Sequence, residues 1–301
     1  MLIGFHYSIS GKTNGEVINE LEKLNKKKKI GVFQIFLQSP RFVKATLRKF
    51  TDDDIEKFKG KTFKLIIHMP YAINLHSPYY SSFQIENTLL QFVKRVNDVN
   101  KGMVLGIVIH TPSLPKEYSK REALTRMVNN IGELSRFIDF HRINTKIYLE
   151  TLARTTLIKH FDFNLFYKKI TEKYGKEIFN NIAFCLDTAH VFNEGALSFE
   201  KGTVKKFIKK FRETYGYIED FIGVLHLNNT TTNFESGHDI HTSISTGKIP
   251  EKELLKLARI CYKKKIPIIL ERSKYSFDEN VEETQEIKKK LLIKKKINKI
   301  K

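Results

Sequence analysis

The sequence predicts one α/β domain closed as a (β/α)8 TIM barrel, with its chemistry at the carboxyl ends of the strands. Three observations predict it. Eight short apolar, β-branched runs recur at intervals of roughly 30 to 45 residues. Amphipathic stretches separate them, and almost every run is followed by a histidine or a carboxylate. Alternation of strand and helix along a whole chain implies a parallel sheet, and a count of eight implies closure. Such a barrel needs roughly 250 residues, and this chain has 301, of which 41% are hydrophobic.

The strands are expected at residues 2–5, 32–36, 64–67, 104–109, 146–149, 182–186, 222–225 and 266–270. Pro267 falls at the start of the last one, where a missing N–H matters least. Between them, apolar residues three or four apart mark helix faces. These are Val17, Leu21 and Leu24; Leu89, Phe92, Val93 and Val96; Leu124, Met127, Ile131 and Leu134; Leu165 and Ile170; Phe207 and Phe211; and Leu254 and Leu257. Thr51 ahead of three aspartates, and Ser119 ahead of Lys120, read as helix starts. A doubly wound open sheet would usually have fewer strands and a Gly-rich first turn, and Ser8-Ile9-Ser10-Gly11-Lys12 is no dinucleotide fingerprint. Residues 1–301 therefore form a single domain. Its Lys-rich end, residues 287–301, is the last helix with a solvated lysine face, seated through Ile287, Leu291 and Ile297.

A formal net charge of +20 points to a polyanionic partner, nucleic acid before an anionic membrane. Two cysteines, Cys185 and Cys261, make neither a disulfide framework nor a cysteine-rich zinc finger. No run of about 20 apolar residues could span a membrane, and the N-terminus lacks a secretory leader's apolar stretch. A soluble, intracellular protein is expected.

The first polar residues after the runs are His6, His68, His110, Glu150, Asp187, His226 and Glu271; only the second run lacks one, leading instead to Gln38 and Arg41. His190 lies three residues after Asp187, and Asp239 and His241 follow in the loop after His226. Strand ends converge at the mouth of a barrel. A lone histidine there is usually a hydrogen-bonded core residue and a lone carboxylate a helix cap. So many together would leave buried charge uncompensated unless a cation neutralised it. Imidazole and carboxylate suit zinc, and manganese as well.

Along essentially its full length the chain resembles the endonuclease IV family, the class II apurinic/apyrimidinic endonucleases. Phe184-Cys185-Leu186-Asp187-Thr188-Ala189-His190 is similar to the family's Leu-Asp-Thr-Cys-His block, and His226-Leu227-Asn228-Asn229 to its His-Leu-Asn-Asp block. His68-Met69-Pro70-Tyr71-Ala72-Ile73-Asn74-Leu75 matches His-x-x-Tyr-x-x-Asn-Leu, and Ser39-Pro40-Arg41 and Leu270-Glu271 also fall in place. The resemblance implies three zinc ions: one on His68, His110 and Glu150, a second on Glu150, Asp187, His226 and Glu271, and a third on His190, Asp239 and His241. It implies a monomer that cuts double-stranded DNA 5′ to abasic sites and cleans blocked 3′ ends. Glu150 and Glu271 would be catalytic, with Arg41, Tyr71, Asn74 and His6 facing the DNA.

The chain departs from the family at Asn229, where Asp is usual, at Ser245-Thr246-Gly247 in place of Gly-Glu-Gly, at Phe42-Val43 and at Thr151. These departures imply a divergent member. Two rival readings are a sugar isomerase or epimerase of the xylose isomerase type and a non-enzymatic nucleic-acid-binding barrel. The first would not need His190, Asp239 and His241, and the second should have lost ligands.

Overall fold

A computed structural model describes residues 2–37, 48–71, 74–76, 85–114, 116–154, 156–272 and 275–297. The strands are β1 (Ile3–His6), β2 (Val32–Phe36), β3 (Lys64–His68), β4 (Val104–His110), β5 (Lys146–Glu150), β6 (Ile182–Asp187), β7 (Ile222–His226) and β8 (Ile268–Leu270). All pair in parallel in chain order, and β8 returns to β1 to close the barrel.

Helices cover the outside because the strands are apolar on both faces. Asn14–Lys28 begins at Thr13, whose side chain accepts from the Glu16 amide while Glu16 answers the Thr13 amide. Thr51 caps Asp52–Glu56 in the same reciprocal way, and Ser119 caps Lys120–Phe140. The expected apolar faces pack against the barrel, Phe207 only partly buried and the Ile297 side chain lying outside the described residues, with two corrections. Leu165 is 56% exposed and its neighbour Phe166 is the buried residue, so the face of Asn164–Tyr174 is rotated by one position. Lys288 is not solvated: it is buried, and its ammonium donates to the Lys29 carbonyl. Burial pushes its pKa down to about 8.

Six of the seven polar residues expected just beyond the runs are instead the last residues of their strands, from His6 to His226; Glu271 follows β8 directly. This difference sets their direction. Side chains alternate across a strand with period two. The barrel interior is packed with Val32, Ile66, Val108, Tyr148, Cys185, Val224 and Ile269. Two residues further along the same strands stand Gln34, His68, His110, Glu150, Asp187, His226 and Glu271. Each therefore points inward, one layer above the apolar plug. The lower end is filled by Tyr148, whose hydroxyl donates to the Leu105 carbonyl at 3.0 Å. Its ring needs glycine at position 106 on the neighbouring β4 and at position 223 on β7, since a Cβ at either would lie 2.2 Å from it.

Cys185 and Cys261 are both buried free thiols. Among the described residues no helix is long and apolar enough to cross a membrane.

Candidate metal centre at the barrel mouth

The inward residues gather into groups whose donor atoms lie within 4.8 Å of one another: His68, His110 and Glu150; Glu150, Asp187, His226 and Glu271; and Asp187, His190 and His241. Glu150 belongs to the first two. Its Oε2 lies 3.4 Å from His68 Nε2 and 3.3 Å from His110 Nε2, and its Oε1 lies 2.9 Å from His226 Nδ1. His226 Nδ1 is also 3.0 Å from Glu271 Oε2 and 3.9 Å from Asp187 Oδ2. Asp239, on an exposed loop, brings Oδ1 to 3.1 Å from both His190 Nε2 and His241 Nε2. The third group thus has both Asp187 and Asp239 in reach, one more carboxylate than the sequence suggests.

These residues fit metal ions better than they fit one another. The buried Glu150 Oε2 and His241 Nε2 have no hydrogen-bond partner, although nitrogens or oxygens stand close by. Bonds of about 2.0–2.1 Å in a tetrahedral zinc site place neighbouring donors roughly 3.3–3.4 Å apart, which is the His68–Glu150–His110 spacing. Ring anchoring agrees. His68 Nδ1 donates to the Met69 carbonyl at 2.7 Å, His190 Nδ1 to Thr151 at 2.8 Å and His241 Nδ1 to Glu271 at 3.0 Å. Each anchor leaves Nε2 facing the site, as the outer hydrogen bond of a metal-binding histidine does.

The electrostatics follow from burial among opposite charges. Burial alone would raise the Glu150 pKa, but His226, His110 and His190 outweigh it and hold the carboxyl well below the usual range. Glu271 is likewise held down by His226, and Asp239 by His190 and His241, both against their own desolvation. Burial opposes protonation of His190, yet Asp187, Asp239 and Glu150 raise its pKa well above the ordinary value. His241 is raised by Asp187 and Asp239, also against burial. For His226, burial is opposed by the Cys185 sulfur, Glu271 and Glu150, and the net shift is upward. Cys185 stays a neutral thiol because burial pushes its own pKa far up, so the carboxylates carry that attraction. Burial dominates at His6, lowered to about 4, and at His110, also lowered.

Of the residues expected to face DNA, Tyr71 is 54% exposed at the lip, its ring stacked on His110 at 5.0 Å. Asn74 uses its carboxamide oxygen to accept from the His76 amide at 3.2 Å, a contact within its own turn. His6 packs on Phe36 beside Gln34. Arg41, with Gln38 and Phe42-Val43, lies outside the described residues.

Three polar residues of the site are absent from the set that the sequence singles out. Gln34, Asn228 and Arg272 are all buried. Asn228 donates to Asp187 Oδ2 at 2.5 Å and accepts from the Glu271 amide at 2.9 Å. Arg272 holds Asn228 in turn, at 2.5 Å, and pairs with Glu283 at 3.1 Å. Gln34 is the legible one, a lone polar residue in the apolar strand Val-Phe-Gln-Ile-Phe, in phase with the interior.

Residues 26–294 match the family described as xylose isomerase-like TIM barrel. The chain is 30% identical over 281 residues to the "probable endonuclease 4" of Nitrosopumilus maritimus (strain SCM1), covering 90% of this chain and 93% of that one. It is 25% identical over 298 residues to the protein of the same description from Carboxydothermus hydrogenoformans (strain ATCC BAA-161 / DSM 6008 / Z-2901), covering 97% and 98%. Among solved structures, endonuclease IV from Thermus thermophilus superposes with a TM-score of 0.69 at 18% identity, over 96% of this chain and 98% of that one. D-Psicose 3-epimerase from Clostridium cellulolyticum H10 superposes with a TM-score of 0.60 at 17% identity, over 95% and 96%. At those identities the two superpositions establish the fold alone.

Proposed function

The chain belongs to the endonuclease IV family within the xylose isomerase-like TIM barrels, and on that premise we propose that it is a metal-dependent endonuclease hydrolysing the phosphodiester 5′ to abasic sites in double-stranded DNA. The products are a 3′-hydroxyl and a 5′-deoxyribose phosphate, and blocked 3′ ends are substrates of the same site. The observation that carries the reading is Glu150, shared between two groups of histidines and carboxylates with a third group alongside.

His68, His110 and Glu150 would hold one zinc ion, Glu150, Asp187, His226 and Glu271 a second, and His190, Asp239 and His241 a third; manganese suits the same donors. Such ions, when bound, supply positive charge against the charge that develops on a phosphodiester under attack and make a nearby water more acidic. The chain's own residues do the rest. Glu150 and Glu271, both held ionised, are acceptors that orient a water toward phosphorus. Tyr71 presents an exposed ring beside the site, a platform for an unstacked strand at a lesion that has no base edge to read. Arg41 and Asn74 are proposed as further DNA contacts from their places in the family's blocks, and His6 from its place at the end of β1. The +20 charge supplies phosphate contacts, so binding weakens steeply with salt.

The test is the chemistry of the ends. A strand cut at an abasic analogue by metal-loaded protein should be extended directly by a DNA polymerase. A 3′ end that needs prior trimming would rule out hydrolysis 5′ to the lesion.

The Glu150, Asp187, His226 and Glu271 quartet favours one second reading, a metal-dependent sugar isomerase or epimerase. That chemistry leaves His190, Asp239 and His241 without a purpose. Interconversion of ketoses by metal-loaded protein that leaves DNA uncut would establish it.

A further inference from the structure

Every strand except β2 ends on, or in β8 is followed directly by, a candidate ligand or His6, and β2 instead places Gln34 in the inward ring with none of its surface exposed. Its carboxamide reaches two of those ligands at once. Nε2 donates to Glu271 Oε1 at 2.5 Å, and Oε1 faces His226 Nε2 at 2.9 Å. The orientation of the amide is fixed by chemistry. An ionised carboxylate only accepts hydrogen bonds, so the NH2 must face Glu271 and the oxygen must face His226. His226 Nε2 therefore carries a hydrogen, and Nδ1 is the nitrogen turned toward Glu150 and Glu271.

This makes His226 the exception among the anchored histidines. His68, His190 and His241 are each held through Nδ1 by a backbone carbonyl and present Nε2. His226 is held through Nε2 by a side chain and presents Nδ1. A backbone carbonyl is present in any sequence, whereas this anchor exists only if residue 34 supplies it.

We infer that Gln34 is a positioning residue of the metal centre: it selects the nitrogen of His226 that binds metal and holds Glu271 in place with the same group. It binds no metal and reaches no substrate from its buried place. The assignment deepens the metal-centre reading and rests on it.

The test uses metal affinity, so it does not depend on the nuclease reading. Zinc affinity is measured by chelator competition on the wild-type chain and on Gln34→Leu and Gln34→Met, two apolar substitutions of similar size. The variants should bind the weakest ion about 10- to 100-fold less tightly, the usual effect of removing an outer partner. In zinc-loaded wild-type protein carrying 15N-histidine, the His226 ring, assigned with His226→Asn, should show its proton on Nε2. That measurement needs no Gln34 variant to fold. Affinity equal to wild type in a folded variant, or a proton on Nδ1 of His226, would overturn the assignment alone. Wild-type protein that binds no metal would overturn the centre and the assignment together.

Discussion

Loading the metal-free protein with zinc at neutral pH should release about two to three protons per chain. The number comes from the histidines that face carboxylates. His190 and His226 have pKa values well above the ordinary one, so near pH 7 each carries a proton on the nitrogen that faces the site, and His241 is raised in the same direction and adds to them. A histidine ligand must be neutral, and those protons must leave. His6 and His110 have lowered values and are already neutral. Glu150, Asp239 and Glu271 are already ionised. Below the raised histidine pKa values, the affinity for a full set of ions should climb by up to about three log units per pH unit. Titration calorimetry in buffers of different ionisation enthalpy gives the proton count directly. A count near zero at pH 7 would refute the pairing of these histidines with their carboxylates. Stability shares the linkage. The raised histidines stabilise the metal-free fold fully below about pH 6.5 and lose that contribution as pH rises through their folded values. The depressed carboxylates contribute above about pH 4.5 and lose it as pH falls. Metal-free protein should thus be most stable between these limits, and zinc should move the optimum upward.

Glu271→Gln should keep the fold and DNA affinity while abolishing incision, measured by gel shift beside a cleavage assay; incision within tenfold of wild type would remove Glu271 from the chemistry. His110→Ala should lose metal and activity together, and full zinc content by elemental analysis would contradict its place with His68 and Glu150. Arg272→Met leaves the buried Glu283 carboxylate without its cation and Asn228 with the Glu271 amide but without its guanidinium donor. Urea unfolding of the metal-free protein should show a loss of about 3–5 kcal/mol, as for other broken buried pairs. A loss below about 1 kcal/mol would mean that the partners find other donors.

Most of the barrel was legible because strands buried on both faces read as unbroken apolar runs. The site was legible for a related reason: His68, His110, Glu150, Asp187 and His226 interrupt those runs at their carboxyl ends, where no packing role explains them. What escaped was tertiary. Leu165 and Phe166 are equally apolar neighbours, and only packing against the barrel decides which is buried. Lys288 reads as solvent-facing in a lysine-rich helix, yet it reaches across to the end of the first helix, 259 residues away in sequence. Gln34 sits inside the second run, whereas the other site residues stand at or beyond the ends of theirs; only the period-two phase it shares with Val32 marks it as inward. Asp187 reaching the third group depends on how the helix Thr188–Asn193 turns His190 back over it, and Asp187 caps that helix through the His190 amide at 2.9 Å.

The central claim is best tested on a duplex carrying a single tetrahydrofuran abasic analogue, with metal-replete protein and after prolonged chelation. The analogue cannot undergo β-elimination, so a cut on its 5′ side is hydrolytic. That cut is expected, with its loss on chelation and its return with zinc. An uncut duplex with fully loaded protein would contradict the claim.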